Sequence, residues 1–132
     1  MNKPRVLVVE DNKDLRRLYS FVLSLSGLEI REAEDGREAL KLVKEEKPDA
    51  ILTDIQMPNM DGIELIKCIK TDTTLADLPI IAISAWSDPT VQSVARLTGA
   101  TKVLEKPIDP EELFDEVWQL LPAKDACAKK AA

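Results

Sequence analysis

The stretch AILTDIQMPNMDG, residues 50–62, begins as an apolar run and places an acid, Asp54, directly after it. The run AILT is continuous rather than alternating, which is typical of a strand covered on both faces, as in a parallel sheet between two layers of helices. Asp is common where loops begin, so a turn or cap role is the default interpretation of Asp54 taken alone. Its role therefore depends on what lies at the same end of the other strands.

Strand-like and helix-like segments alternate outward from this stretch. The pattern predicts strands over residues 5–9, 28–33, 50–53, 79–84 and 101–105. The segment LEIREA (28–33) alternates in polarity and predicts an edge strand, whereas the central segments are almost wholly apolar. Right-handed crossovers turn this βα order, repeated five times, into a doubly wound α/β fold with a five-stranded parallel sheet.

Capping residues and apolar spacing set the predicted helices. Asn12 is a plausible N-cap for a first helix that ends at Gly27, and Asp35 with Glu38 resembles a capping box. Asp88 and Asp109 each precede a proline suited to the first helical position. The helical spacing is carried by Leu15, Leu18, Tyr19, Val22 and Leu23, by Leu65, Ile66 and Ile69 after Gly62, and by Leu113, Val117 and Leu120.

Length and composition favour one ordinary globular domain. The 132 residues are 45% hydrophobic and 32% charged, which excludes a disordered chain. We expect a domain over residues 1–121 and a polar tail or linker over PAKDACAKKAA, residues 122–132. No apolar run reaches the roughly 18 residues of a membrane span, so we expect no membrane insertion and a cytoplasmic protein.

Charge and residue content exclude several functions. A net charge of −6 argues against direct binding of nucleic acid, which normally requires a basic face. The chain has no histidine, which removes His-based triads and His-ligated metals, so a partner must supply any histidine chemistry. Cys68 and Cys127 have no zinc or disulfide spacing, and two free thiols fit a reducing compartment.

Five polar residues fall at the carboxyl ends of the predicted strands, which meet at one edge of such a sheet. They are Glu10, Asp11, Asp54, Ser84 and Lys106. Three neighbouring carboxylates repel one another and raise each other's pKa unless a cation neutralises them. Oxygen ligands without His or Cys favour a hard ion, and Mg²⁺ commonly combines one or two carboxylates with waters and phosphate oxygens.

The same five residues suggest phosphoryl chemistry. Lys106 can hold a transferring phosphoryl group as a point charge, and the Ser84 hydroxyl can donate to one of its oxygens. Asp54, facing a clamped phosphoryl donor, is then a nucleophile that forms an aspartyl phosphate.

Four ordered motifs carry a resemblance to a known family. VLVVEDN (6–12), LTDIQMPNMDG (52–62), IAISA (81–85) and LEKP (104–107) together resemble the receiver domain of two-component response regulators, of the chemotaxis-regulator type. The resemblance covers residues 4–121. It implies a flavodoxin-like fold with strand order 2-1-3-4-5 and a phosphorelay signalling module rather than an enzyme acting on external substrates.

The resemblance also implies a role for each site residue. Asp54 would accept a phosphoryl group from a phosphohistidine on a sensor histidine kinase or histidine phosphotransfer protein, and later lose it slowly to water. The implied Mg²⁺ ligands are Asp11 and Asp54 directly, Glu10 through water, and Gln56 through its backbone carbonyl. Ser84 would turn toward the phosphate, Lys106 would pair with it, and the Lys106-Pro107 bond would be cis.

One position departs from the family pattern, and the sequence leaves two interpretations of one surface. Val103 occupies the position where members commonly carry an aromatic switch residue, and Trp86 is expected near the phosphate. The family's usual output surface is the fourth helix, fifth strand and fifth helix. There, Phe114 and Trp118 either tuck in at the edge of the core or form an exposed patch for a partner.

Three alternatives compete with this interpretation. An Mg²⁺-dependent aspartyl-phosphate phosphatase resembling the haloacid dehalogenase family would carry a second Asp where this chain has Gln56. A flavodoxin-like FMN carrier would need a Ser/Thr/Gly-rich phosphate loop after the first strand, where this chain has EDNKDL, residues 10–15, whose acids would repel the FMN phosphate. A degenerate receiver that binds partners without phosphorylation is disfavoured, because all five site residues are present.

Overall fold

Five strands and five helices alternate along the part of the chain that the structure describes. The computed structural model describes residues 3–57, 60–84 and 89–121. The elements are β1 (Arg5–Val9), α1 (Lys13–Ser24), β2 (Glu29–Ala33), α2 (Gly36–Glu45), β3 (Ala50–Asp54), α3 (Gly62–Thr71), β4 (Ile80–Ser84), α4 (Pro89–Thr98), β5 (Lys102–Glu105) and α5 (Pro110–Leu120).

The strands form one parallel sheet in the order β2-β1-β3-β4-β5. This order confirms the predicted flavodoxin-like topology and the edge position of β2. The chain leaves β1 for the edge strand β2 and then crosses back to β3, so the strand order reverses between β1 and β3. Crevices at such a reversal are where doubly wound sheets bind ligands.

Successive strand residues point to opposite faces of the sheet and build two separate cores. Leu7, Val9 and Ile51 face α2, α3 and α4. Val6 and Val8 face α1 and α5. Burial on both faces explains why the β1, β3 and β4 segments are continuous apolar runs.

Most helix starts follow the predicted caps. The side chain of Asn12 accepts the Leu15 amide, and that of Asp109 accepts the Glu111 amide. Asp35 accepts the Glu38 amide, but the Glu38 carboxylate accepts from Glu34 and thus satisfies the amide one residue before the cap. The predicted Asp88 cap lies outside the described residues.

The end of α1 differs from the prediction. The helix ends at Ser24 rather than Gly27, because the Ser26 hydroxyl donates to the Leu23 carbonyl and ends the helical bonding early. Gly27 lies in the following turn with a φ of 89°. Leu18, predicted on the apolar stripe, is 50% exposed. Four of the predicted strands differ from those observed by one residue at one end.

Trp118 lies in the core rather than on an exposed patch. It is 5% exposed and packs in the core between the sheet and the α1 and α5 layer, with Phe114 half-buried beside it. The hypothesis of Trp118 as an exposed partner contact is therefore wrong, and the core-edge alternative holds. None of the helices in the described ranges is long and apolar enough to cross a membrane.

Candidate functional site

Three carboxylates meet where β1 and β3 end. Glu10 follows β1 directly, Asp54 is the last residue of β3, and Asp11 begins the loop to α1. Because β1 and β3 are parallel neighbours, their carboxyl ends share one edge. One oxygen from each carboxylate lies within 4.8 Å of the others. Glu10 is 1% exposed and Asp54 5%, whereas Asp11 is exposed.

The ammonium of Lys106 joins the two buried carboxylates. Its Nζ lies 3.0 Å from Glu10 Oε1 and 3.1 Å from Asp54 Oδ2. Burial alone would lower the pKa of Lys106, but the hydrogen bond with Glu10 and the charge of Asp54 outweigh it and raise the pKa. The lysine therefore stays charged at neutral pH and points at the predicted phosphoacceptor.

The cluster is still short of positive charge. Among the residues that the structure describes, the Lys106 ammonium is the cation that contacts this cluster of three carboxylates. The pKa of Asp11 is raised by partial burial and by the neighbouring Glu10. Ligand oxygens on opposite sides of Mg²⁺ lie about 4 Å apart, since each bond is roughly 2.0 to 2.1 Å. Oxygens within 4.8 Å of one another, with no nitrogen or sulfur ligand among the three, fit such an ion after small side-chain movements.

Backbone amides orient the two buried acids. The Asn12 amide donates to Glu10 Oε2 at 3.1 Å, and the Gln56 amide donates to Asp54 Oδ1 at 3.3 Å. The loop after β3 is held against the sheet by Gly62, whose amide donates to the Ile55 carbonyl at 2.7 Å. A Cβ at Gly62 would lie only 2.7 Å from Ile55 Cα, so the loop requires glycine here.

Ser84 and Lys106 meet through their main chains. Ser84 ends β4 and is 5% exposed, and its carbonyl accepts the Lys106 amide at 2.8 Å. The Lys106-Pro107 bond is cis, as the family resemblance implies. Val103 is partly buried against the core on the α2, α3 and α4 side. Trp86 lies outside the described residues.

The sequence did not reveal the role of Arg16. Its guanidinium donates to the Glu10 carbonyl at 2.9 Å and to Glu32 at 3.0 Å, tying α1 and the end of β2 to the acidic loop. In the sequence, Arg16 is marked only by its position one turn after the Asn12 cap. Surface arginines are common at that position, so the sequence does not distinguish the two roles.

Comparison with known proteins identifies the family. Residues 6–118 match the family model for the response regulator receiver domain. The chain belongs to this family. Receiver domains are signalling modules of two-component systems. The family match confirms the predicted family, and the strand order confirms the predicted fold.

The relatives of this receiver differ in length. The response regulator MprA of Mycolicibacterium vanbaalenii is 40% identical over 118 residues, but the chain spans only 50% of it. The polar-differentiation response regulator DivK of Brucella anthropi is 34% identical over 116 residues and is spanned over 94% of its length. The solved chemotaxis response regulator CheY4 of Vibrio cholerae is 32% identical, with a TM-score of 0.85 over 91% of this chain and 100% of CheY4.

Geometry thus brings together the predicted residues Glu10, Asp11, Asp54 and Lys106, with Ser84 joined to Lys106 through the backbone. The Gln56 amide contacts Asp54, while the proposed contact of its carbonyl with a metal stays a prediction. The individual roles of these residues also stay predictions.

Proposed function

We propose that this receiver accepts a phosphoryl group on Asp54 from a phosphohistidine of a sensor histidine kinase or histidine phosphotransfer protein. The observation that carries the proposal is the position of the Lys106 ammonium, 3.1 Å from Asp54 Oδ2 and 3.0 Å from Glu10. A positive charge held next to the nucleophile is suited to the charge of a transferring phosphoryl group.

In the proposed step, an Asp54 carboxylate oxygen attacks phosphorus as the phosphorus–nitrogen bond of the donor breaks. The electron pair of that bond returns to the imidazole, and a phosphorus–oxygen bond forms on Asp54. Lys106 then exchanges its Asp54 contact for a phosphoryl oxygen, and Ser84, at the end of β4, is the proposed hydroxyl donor. Hydrolysis by water restores Asp54, so the module catalyses only its own phosphorylation and dephosphorylation.

Bound Mg²⁺ would neutralise the transferring phosphoryl oxygens and the three carboxylates together. The residues proposed to hold it are Asp11 and Asp54, with Glu10 acting through water and Gln56 through its carbonyl. The acidic cluster and the raised pKa of Asp11, due first to burial and then to Glu10, support this assignment.

The proposed readout is the face formed by α4, β5 and α5. On α4, Leu97 is 87% and Val94 42% exposed, whereas buried Trp118 is unavailable to a partner. Phe114 is half-buried, so part of its side chain remains accessible. A downstream protein, rather than nucleic acid, is the proposed target of this face, and the cytoplasm is the proposed location. The chain spans only 50% of the relative MprA, so no output of MprA is proposed for this chain.

Intact mass tests the proposed phosphorylation. The chain is incubated with Mg²⁺ and acetyl phosphate, with Asp54→Asn and the exposed-acid control Asp14→Asn alongside. We expect one phosphoryl group on the parent and on Asp14→Asn, none on Asp54→Asn, and none on any chain in EDTA. An unlabelled parent, or a labelled Asp54→Asn, would contradict the proposal, and the first of these results would favour a degenerate receiver.

A further inference from the structure

The side chain of Tyr19, on α1, lies beside the cavity that Lys106 also lines. It is the only tyrosine of the chain and is 5% exposed. It packs in the core between the sheet and the α1 and α5 layer, in the same cluster as Val8, Leu52 and Leu113. In sequence it is one more member of an apolar stripe, and nothing in the proposed chemistry uses it.

Tyr19 shares a cavity with Lys106. The cavity has a volume of about 370 Å³ and lies between α1 and the segment after β5. Leu15, Leu18 and Tyr19 line it from α1, and Lys106, Pro107 and Ile108 line it from the other side. The Lys106 side chain, only 17% exposed, has this space on one side and the carboxylates of Glu10 and Asp54 at its tip.

The electrostatic environment of Tyr19 includes the same charged groups. Burial is the main cause of a raised pKa at its hydroxyl. Lys106 opposes that rise, while the charges of Glu10 and Asp54 add to it. The hydroxyl therefore lies within the field of the three groups that make up the centre of the site.

We propose that Tyr19 is a positioning residue for Lys106: its ring forms a wall of the cavity beside the lysine stem and limits how far that stem can turn away from the carboxylates. A lysine stem has four rotatable bonds, and its ammonium has no fixed direction of its own. With the cavity wall in place, the ammonium stays on Asp54. The consequence for phosphorylation rests on the proposed function, whereas the positions of Tyr19 and Lys106 on one cavity do not.

The catalytic consequence is tested by the initial rate of phosphoryl labelling in a double-mutant cycle. Tyr19→Phe keeps the ring and should label within about twofold of the parent, whereas Tyr19→Leu opens the cavity and should label about tenfold more slowly, as expected for a misplaced charged group. In a Lys106→Ala background, Tyr19→Leu should cause no further loss, because the group that it positions is absent.

Val117→Ala is the matched control, since Val117 is fully buried in the same core cluster but does not line the cavity. It should lower the melting temperature and leave the labelling rate unchanged. Labelling of Tyr19→Leu at the parent's rate would overturn the proposal. So would an equal loss in the Lys106→Ala background, or an equal loss in Val117→Ala.

A second measurement separates this inference from the proposed function. Fluorotyrosine incorporation places one ¹⁹F probe in the chain, at Tyr19, and its chemical shift is recorded without phosphodonor or Mg²⁺. Lys106→Ala should move this resonance, while the exposed-lysine control Lys41→Ala should not. An unmoved resonance in Lys106→Ala would overturn the Tyr19 proposal even if Asp54 is phosphorylated. A parent that does not label but shows the shift would refute only the phosphorylation.

Discussion

At the scale of single residues, the site is a balance between burial and charge. Glu10 and Asp54 are nearly inaccessible to water, and such carboxylates are costly unless they are paired and hydrogen-bonded. Lys106 contacts both acids, and the amides of Asn12 and Gln56 satisfy further oxygens. Asp11 gains least from this arrangement, because it lies next to Glu10 and has no cation of its own among the described contacts.

The imbalance at Asp11 predicts opposite effects of one substitution with and without metal. In EDTA at pH 7, Asp11→Asn should raise the free energy of unfolding by less than about 1 kcal/mol, since water screens the exposed Asp11. The folded-state pKa is raised, so the penalty is complete above that pKa, shrinks as the pH falls through it, and is absent below the ordinary value of 3.8. The rise in the free energy of unfolding caused by Asp11→Asn should therefore disappear below pH 3.8.

Thermal unfolding with and without Mg²⁺ measures both effects. Binding to the native state should raise the parent's melting temperature with increasing Mg²⁺, and Asp11→Asn should lose most of this rise. Asp14→Asn, which removes an exposed acid in the first turn of α1, should respond as the parent does. A parent insensitive to millimolar Mg²⁺ would contradict the proposed metal site.

At the scale of elements, the start of α2 supports the loop that follows the phosphoacceptor strand. The Gly36 amide donates to the Met60 carbonyl at 3.1 Å, across a contact that leaves no space for a side chain. A Cβ at Gly36 would lie 2.5 Å from the Met60 oxygen and 2.8 Å from Met60 Cγ. The start of α2 is therefore connected to the β3–α3 loop through direct backbone contact.

This contact predicts that Gly36→Ala destabilises the protein, although alanine is normally the better helix former. The added methyl must displace the Met60 backbone, and such overpacking costs typically about 1 to 3 kcal/mol. Urea unfolding followed by circular dichroism measures the change. Arg37→Ala, at the exposed next position of α2, should shift the free energy by less than about 0.5 kcal/mol. An unchanged or raised free energy of unfolding for Gly36→Ala would contradict this prediction, because it would show that Met60 moves aside at no cost.

At the scale of the whole molecule, the sheet divides the protein into two cores. The core on one face includes Ile69 of α3 and the core on the other includes Val117 of α5, and both residues are fully buried. The two cores share the sheet, whose strands contribute alternate residues to each. The site lies at the edge of that shared layer, where both cores support it.

Two separate cores on one sheet predict additive substitutions within one cooperative transition. Ile69→Val should cost about 1 kcal/mol and Val117→Ala about 2 kcal/mol, and the double variant should lose their sum within roughly 0.5 kcal/mol. Urea transitions followed by tryptophan fluorescence and by circular dichroism should coincide. Separated transitions would mean that the two layers unfold independently.

The sequence by itself determined the order of elements, the parallel sheet and the edge at which five polar residues gather. It could do so because strand burial, helix caps and the carboxyl-end rule are local or topological properties. The continuous apolar runs around Ile51 and Ile81 required cover on both faces, and the acids after Val9 and Thr53 then had to share an edge.

Only the tertiary structure decided which faces of the helices are buried and which contacts orient the site. Trp118 and Leu18 each belong to a helix with an amphipathic pattern, yet Trp118 is buried and Leu18 is half exposed. The packing of α1 against α5 decides which side of each helix is buried. The contacts of Lys106 with Glu10, and its shared cavity with Tyr19, join residues 96 and 87 positions apart. Such distant pairs depend on how the helices pack on the sheet, which no local pattern records.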